Sequence, residues 1–410
     1  MMEFLKVDSL DSAREKMLLR VKDRLVSKES VPLLESLGRI AAKDVLAVED
    51  IPSFRRSTVD GFAVLSGDTA AAGESMPVFL TVKGRVEMGQ PATISITSGE
   101  CVEVPTGGML PKGADAVVMC EYTEEFGPDG IAVSQSAAYG ENVVLTGEDA
   151  KAGALILPRG KKILPQDIGA LASSGVACVC VYTSPRVTVL STGDELVSLK
   201  QNTKPGQIRD INTYALASLA KKHGFCVVST EVLPDDEAAL EQAVKSAMER
   251  SEIVIVSGGS SKGKKDMTRK VFDKLSLSGV YTHGIAIKPG KPTILGYDEA
   301  YGTLMAGLPG HPVSAMIVFE LVLGWLLREA TGSQGPPAVP ARLSCNAPSS
   351  PGKLTCWPCK LIYDADGYTA EPVFGKSGLI TTLTQADGYF VTARDTEGLK
   401  TGELVMVHLF

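Results

Sequence analysis

The sequence predicts a multidomain protein of α/β plus β class. Three observations carry this. The chain has 410 residues, enough for about two to four domains at ~150 residues each. From Pro185 to Glu329, strand-like apolar runs alternate with amphipathic helical stretches, the pattern of a parallel-rich sheet with helices on its faces. Between Pro52 and residue 150, and again near the C-terminus, short Val/Ile/Thr runs are broken by Gly and Pro, the texture of compact β domains.

The elements follow in order. Ala13, Met17, Leu18, Val21 and Leu25 fall at helical spacing and predict a helix over 9–25. A second short helix is expected from Pro32 to Ala42. Val78–Val82, Glu100–Val104 and Ala116–Met119 read as strands of the first β domain. Then come a strand at Arg186–Leu190, a helix at Asn212–His223 and a strand at Phe225–Leu233. Asp235–Arg250 is an amphipathic helix whose acidic first turn suits the helix dipole. Glu252–Val256 is a buried strand, Asp266–Leu275 a helix, Thr303–Ala306 a strand, and Pro312 to Glu329 a long helix. Gly332–Pro340 has a linker's composition, and the remainder is a small β domain.

Composition excludes several classes. The net charge is -7, from 41 Lys+Arg against 48 Asp+Glu, which excludes a strongly basic nucleic-acid coat but leaves room for a local anion pocket. The longest apolar stretch, Ala315–Leu327, is interrupted by Glu320 and too short to span a bilayer. The first six residues lack the order of a signal peptide, and 8 cysteines are too sparse for a disulfide scaffold; a cytoplasmic protein is expected. Cys356-Trp357-Pro358-Cys359 has strand-like flanks, which favours incidental cysteines over a zinc or redox motif; Cys178-Val179-Cys180 is read the same way.

Ligands of an open parallel sheet sit beyond the carboxyl ends of its strands. Three such ends stand out. Ser191-Thr192-Gly193-Asp194-Glu195 places carboxylates after an apolar strand. Ser257-Gly258-Gly259-Ser260-Ser261-Lys262 offers amides, hydroxyls and charge to an anion. It continues as Gly263-Lys264-Lys265, a near miss for a P-loop because Lys265 stands where Ser or Thr would hold magnesium. Pro309-Gly310-His311-Pro312-Val313-Ser314 begins a helix with Pro312 suited to its first turn. Glu195, Asp210 and Asp266 are candidate Mg²⁺ ligands, since Mg²⁺ prefers carboxylate oxygen. Arg209, Lys262, Lys288 and Lys291 are able to balance a polyanion; solvated turns and a plain helix cap at Asp210 are the bland alternatives. The first β domain adds Asp60 before Gly61, and Thr106-Gly107-Gly108, both equally readable as turns.

These segments, in series, resemble the MoeA family of molybdopterin molybdenumtransferases. The resemblance runs from Pro52-Ser53-Phe54 through Gly113–Val118, Gly147-Glu148-Asp149, Ser191–Leu196, Gly206–Asn212, Ser257–Asp266, Lys288–Pro292 and Leu308–Ser314 to Gly375-Lys376-Ser377-Gly378 and Ala386-Asp387-Gly388. It implies the last step of molybdenum cofactor synthesis: adenylylated molybdopterin binds with Mg²⁺, molybdate is inserted, and AMP is released. It implies a homodimer of four-part subunits, with a molybdopterin adenylyltransferase as a candidate partner. The parts would be an N-terminal α/β linker domain (1–52 and 150–182), an inserted β domain (53–149), a MogA-like three-layer domain (183–332) and a C-terminal β-barrel-like domain (333–410). By motif, the family's functional residues fall on Asp60, Thr106, Glu195, Asp210 and Asp266. Its lysines fall on Lys288 and Lys291, and its loop prolines on Pro309 and Pro312; Gly310, Ser314 and Ser377 belong to the expected binding set. The sequence departs from the family at Thr58-Val59, at Val144-Leu145-Thr146, at the lysines of 260–265 and at His311. Those departures suggest as an alternative a divergent paralogue that inserts tungstate, and the resemblance itself also admits a pterin-binding scaffold without the reaction.

Overall fold

The computed structural model describes residues 7–21, 24–258 and 265–410, with the side chains of Lys265 and Asp266 outside the description. The chain forms two compact units: one takes in residues up to Lys43, Arg159–Ile163 and Val179–Phe410, the other Asp44–Pro158 and Leu164–Cys178.

The larger unit contains the alternating region. Its labelled elements are α1 (Leu10–Val21), β1 (Arg186–Thr192), α2 (Asn212–His223), β2 (Cys226–Leu233), α3 (Glu237–Met248), β3 (Ile253–Gly258), α4 (Lys265–Leu275), β4 (Val280–His283), β5 (Ile294–Asp298), β6 (Thr303–Leu308) and α5 (Pro312–Val318). The strand order is β2-β1-β3-β6-β5-β4. The first four strands are parallel, whereas β5 and β4 run antiparallel to their neighbours. The central strands β1, β3 and β6 are buried on both faces and are near-continuous apolar runs, whereas the edge strand β2 is largely exposed. Val187, Val189, Ile253 and Ile255 pack toward α1, α2 and α5. Leu190, Val254, Val256 and Met305 pack toward α3 and α4. This is the expected three-layer α/β domain. Local chemistry sets its helix ends: Asp236 accepts a hydrogen bond from Ala239 N at 2.8 Å, and Gly224 closes α2 at φ 95°.

The long helix after β6 is continuous but uneven. A π-helical stretch, Phe319–Gly324, separates α5 from a last helix, Trp325–Thr331. The C-terminal strands are β7 (Ala338–Leu343), β8 (Leu354–Asp364), β9 (Gly367–Pro372), β10 (Gly388–Thr392) and β11 (Leu404–Leu409). They run in the order β8-β9-β7-β11-β10, and β10 pairs back onto β8 to close a five-stranded barrel. Its interior holds Leu343, Cys359, Phe390 and Val407. The two-residue strand Ile287–Lys288 adds to β8 in parallel and so ties the α/β layer to the barrel.

The smaller unit carries a six-stranded sheet in the order Ala116–Met119, Gly61–Val64, Glu100–Val104, Val78–Arg85, Gly130–Val133, Thr123–Glu125. Alternate residues face two separate apolar clusters.

Two expectations need correction. Pro32–Ala42 is not a helix. Only Leu33–Ser36 makes a 3₁₀ turn; Gly38 then adopts φ 76°, and Ile40 and Ala41 form bridges to Lys162 and Val181. Long-range pairing overrides local propensity there. The linker also ends earlier than composition suggests, because Ala338–Pro340 already belong to β7.

Candidate active site

The carboxyl ends of β1, β3 and β6 lie side by side. Ser191 is opposite Ser257, Thr192 opposite Gly258, and Ser257 opposite Leu308. The approach is close at Gly258, which sits at φ 128° and where a Cβ would lie 2.2 Å from Thr192 O; only glycine fits. Buried polar side chains lock the three ends together. Asn212 Nδ2 donates to Ser257 Oγ and to Gly310 O, each at 2.8 Å. Ser257 Oγ donates to Pro309 O at 3.3 Å, and Thr213 Oγ1 donates to Ser191 Oγ at 2.7 Å. These bonds satisfy groups that burial would otherwise penalise.

Asp210 is different. It is 3% exposed, and its Oδ1 accepts a hydrogen bond from Thr213 N at 3.2 Å. The helix-capping contact is therefore real. Its Oδ2, however, is buried with no hydrogen-bond partner among the described residues, as is Thr192 Oγ1. An unpartnered buried carboxylate oxygen costs roughly 1–3 kcal/mol or more, so the site suits a cation. Asp210 lines a cleft of 370 Å³ with Glu195, Arg209, Ser257, Gly258, Gly310 and Pro312. Glu195 is exposed at its rim. The Arg209 guanidinium donates to Leu199 O and Gln201 O at 3.3 Å, which holds it on its own loop. Among the described residues no three acidic, His or Cys groups converge on one metal position. The side chain of Asp266, and Gly259, Ser260, Ser261 and Lys262, lie outside the described residues.

A second cleft, of 710 Å³, opens between the lysine loop, the start of α5 and the barrel mouth. Lys288, Lys291, Pro309, Gly310, Ser314 and Ser377 line it. Lys288 Nζ donates to Ser350 Oγ at 3.0 Å. Gly290 turns the loop at φ 118°, and a Cβ there would be 2.4 Å from Val318 Cγ2, so the loop is seated hard on α5. Val313 N donates to Ser377 O at 3.1 Å, and His311 Nδ1 lies 2.8 Å from Ser377 Oγ. Gly310 and His311 border both clefts.

Asp60 and Thr106 belong to the smaller unit. There Thr106 N and Oγ1 donate to Asp60 Oδ1 at 2.7 and 3.2 Å, joining residues 46 apart in sequence. Gly61, next in the chain, opens a strand that lies hard against Ala116–Met119, since a Cβ there would be 2.0 Å from Val118 O. The pair is exposed.

Sequence reasoning missed Asn212 and Thr213 as organisers, and Trp357 and Phe374 as cleft walls, their rings 5.3 Å apart and edge-on. A polar pair opening a helix one residue after Arg209-Asp210 is the available signal. Cys356 and Cys359 sit on one strand and face opposite ways, into the α/β core and the barrel interior. They do not share a ligand position.

Family models match nearly the whole chain: "MoeA N-terminal region (domain I and II)" over residues 8–175, "Probable molybdopterin binding domain" over 188–329 and "MoeA C-terminal region (domain IV)" over 340–410. The chain is 32% identical to the molybdopterin molybdenumtransferase of Haemophilus influenzae over 98% of both chains. It is 32% identical to that of Bacillus subtilis over 93% of this chain and 89% of the relative. The crystal structure of the molybdopterin biosynthesis MoeA protein of Pyrococcus horikoshii superposes with a TM-score of 0.80 at 32% identity, over 99% of this chain and 100% of that one.

Proposed function

The chain belongs to the MoeA family, and from that premise we propose that it is a molybdopterin molybdenumtransferase, inserting molybdate into adenylylated molybdopterin with Mg²⁺ and releasing AMP. The reading carries with it a cytoplasmic homodimer and the four-part division at 1–52 with 150–182, 53–149, 183–332 and 333–410. Among the described residues, no helix is long and apolar enough to cross a membrane.

The observation that carries the proposal is Asp210 Oδ2, buried and unpartnered at the joined ends of β1 and β3. Asp210, with Glu195 and Asp266, would hold Mg²⁺. When bound, the ion neutralises the charge of a phosphoanhydride. The residues of the chain do the rest by position. Ser257, its buried hydroxyl committed to Asn212 and Pro309, fixes the strand end, and Gly258 leaves the backbone there free of a side chain that would obstruct an anion. Lys288 and Lys291 supply positive charge for a tetrahedral dianion, and Ser377 supplies a hydroxyl. Asp60 and Thr106 are assigned to the same reaction through the resemblance.

The test is AMP release from adenylylated molybdopterin with Mg²⁺, with and without molybdate or tungstate. The expected result is molybdate-dependent release with the metal retained on the pterin. Faster release with tungstate would reassign the substrate metal. Tight pterin binding with no release under either oxyanion would replace the enzyme with a scaffold.

A further inference from the structure

We propose that His311 is a positioning residue that sets the hydroxyl hydrogen of Ser377, so that oxyanion binding in the lysine cleft strengthens as the imidazole is protonated. This rests on the reading of that cleft as an oxyanion site.

The geometry is specific. His311 stands just before α5, on the ridge between the two clefts, and borders both. Its Nδ1 is 2.8 Å from Ser377 Oγ, while the Ser377 carbonyl is already taken by Val313 N. The serine's place is thus fixed by the backbone, and only its hydroxyl hydrogen is left to be assigned. In the neutral ring with hydrogen on Nε2, Nδ1 is an acceptor and takes the serine hydrogen. In the protonated ring both nitrogens carry hydrogen. Nδ1 must then donate, Ser377 Oγ accepts, and the hydroxyl hydrogen is released toward the cleft as a donor for an anion. One proton taken from solvent therefore adds a positive charge and frees a donor.

The charged groups beside His311 on the cleft side are Lys288, Lys291 and Lys353. On the other side they are Glu195, Arg209, Asp210 and Asp235. Lys376 adjoins Ser377 in the chain, and the Cys356 thiol, also on the cleft wall, is held neutral by burial. An ordinary imidazole changes charge around pH 6.5, a range in which ordinary ammonium, guanidinium and carboxylate groups do not. Imidazole is the one side-chain type in this set suited to change charge near neutral pH.

The experiment is calorimetric binding of molybdate to the full chain between about pH 8.5 and pH 6, on wild type, His311→Asn, His311→Ala and Ser377→Ala. Asparagine keeps a hydrogen-bonding partner for Ser377 but does not titrate. Wild-type affinity is expected to rise on the order of fivefold as pH falls, the effect of one partly exposed charge. His311→Asn is expected to bind with no such slope, and His311→Ala more weakly than His311→Asn at high pH. Ser377→Ala should lose most of the slope. An equal slope in wild type and His311→Asn would overturn the role of His311 while leaving the oxyanion site standing. Absence of molybdate binding by wild type at every pH would overturn both.

Discussion

Asp210 shows how a single residue divides between stability and function. Its buried Oδ2 has no partner among the described residues, so the folded chain carries a cost that a bound cation would remove. Replacing Asp210 with Asn keeps the oxygen that accepts from Thr213 N and removes the charge. The metal-free variant should be as stable as wild type or more stable by about 1 kcal/mol. Mg²⁺ should raise the melting temperature of wild type by mass action and leave that of Asp210→Asn unmoved, and AMP release should fall at least tenfold, as roughly 1.4 kcal/mol of lost interaction implies. Thermal melts with and without Mg²⁺ check the first part; a variant that still responds to Mg²⁺ would move the metal elsewhere. Asn212 is the opposite case, a residue whose polar atoms are used. Asn212→Ala strips the donor shared by Ser257 and Gly310 and should cost about 1–3 kcal/mol, read as a lower denaturant midpoint, with the 309–312 loop loosened and AMP release reduced.

Strand geometry decides what the cysteines of β8 can do. Side chains three apart on a strand point to opposite faces, so Cys356 and Cys359 are separated by the barrel wall itself. Burial pushes the Cys359 thiol up to about 12 and the Cys356 thiol well above its usual range; Cys101, also buried, is pushed up to about 12. A raised thiol holds its proton to higher pH, and the thiolate is the reactive form. Native alkylation at pH 8 should therefore label the exposed Cys178 and Cys226 first. Cys120 is exposed too, but its thiol donates to Glu121 Oε2 at 3.3 Å and is raised by it, so it should react more slowly and speed up as pH rises. Cys101, Cys356 and Cys359 should stay unlabelled until the protein unfolds. Peptide mass mapping reads the order, and early labelling of Cys356 or Cys359 would contradict the barrel packing. The same elements show what was legible in the sequence. The helices Asn212–His223 and Glu237–Met248 and the strands β1, β3 and β6 announce themselves through long periodic patterns. Strands β4 and β5 do not: they are short, lie beyond the parallel part and are antiparallel, so no alternation of strand and helix marks them. Barrel closure by β10 on β8 is a long-range pairing with no local signature. In the site, the loops rich in Gly, Pro and charge were legible because loop chemistry is unusual, whereas Thr192, Asn212 and Thr213 look like ordinary strand and helix residues until their burial is known.

At the scale of the whole molecule, the two compact units differ in the buried acids they contain. The larger unit holds Cys356, Cys359, Tyr281 and Tyr389, all raised by burial; the smaller holds Cys101. The sign follows from proton counting. In the unfolded chain a thiol loses its proton near pH 8.5, and a phenol near pH 10. In the folded chain Cys359 and Cys101 hold theirs to about 12, and the other three are raised in the same direction. Between those limits the unfolded state binds fewer protons, so stability falls as pH rises, by up to about 1.4 kcal/mol per pH unit for each group. Below the unfolded value the contribution is fully present. The larger unit, with more such groups, should lose stability faster than the smaller between about pH 9 and pH 11. The chain allows the two to be told apart, because its 2 tryptophans, Trp325 and Trp357, both lie in the larger unit. Tryptophan fluorescence melts should shift to lower temperature from pH 8 to pH 10. Limited proteolysis mapped by mass spectrometry should show peptides of Asp44–Pro158 protected to higher pH than those of β1, β3 and β8. Equal loss in both units, or a fluorescence transition that does not move, would mean that these thiols and phenols are not held in a dry core, and the packing of Cys356 and Tyr389 against the Glu320 helix would be the first part of the fold to be revised.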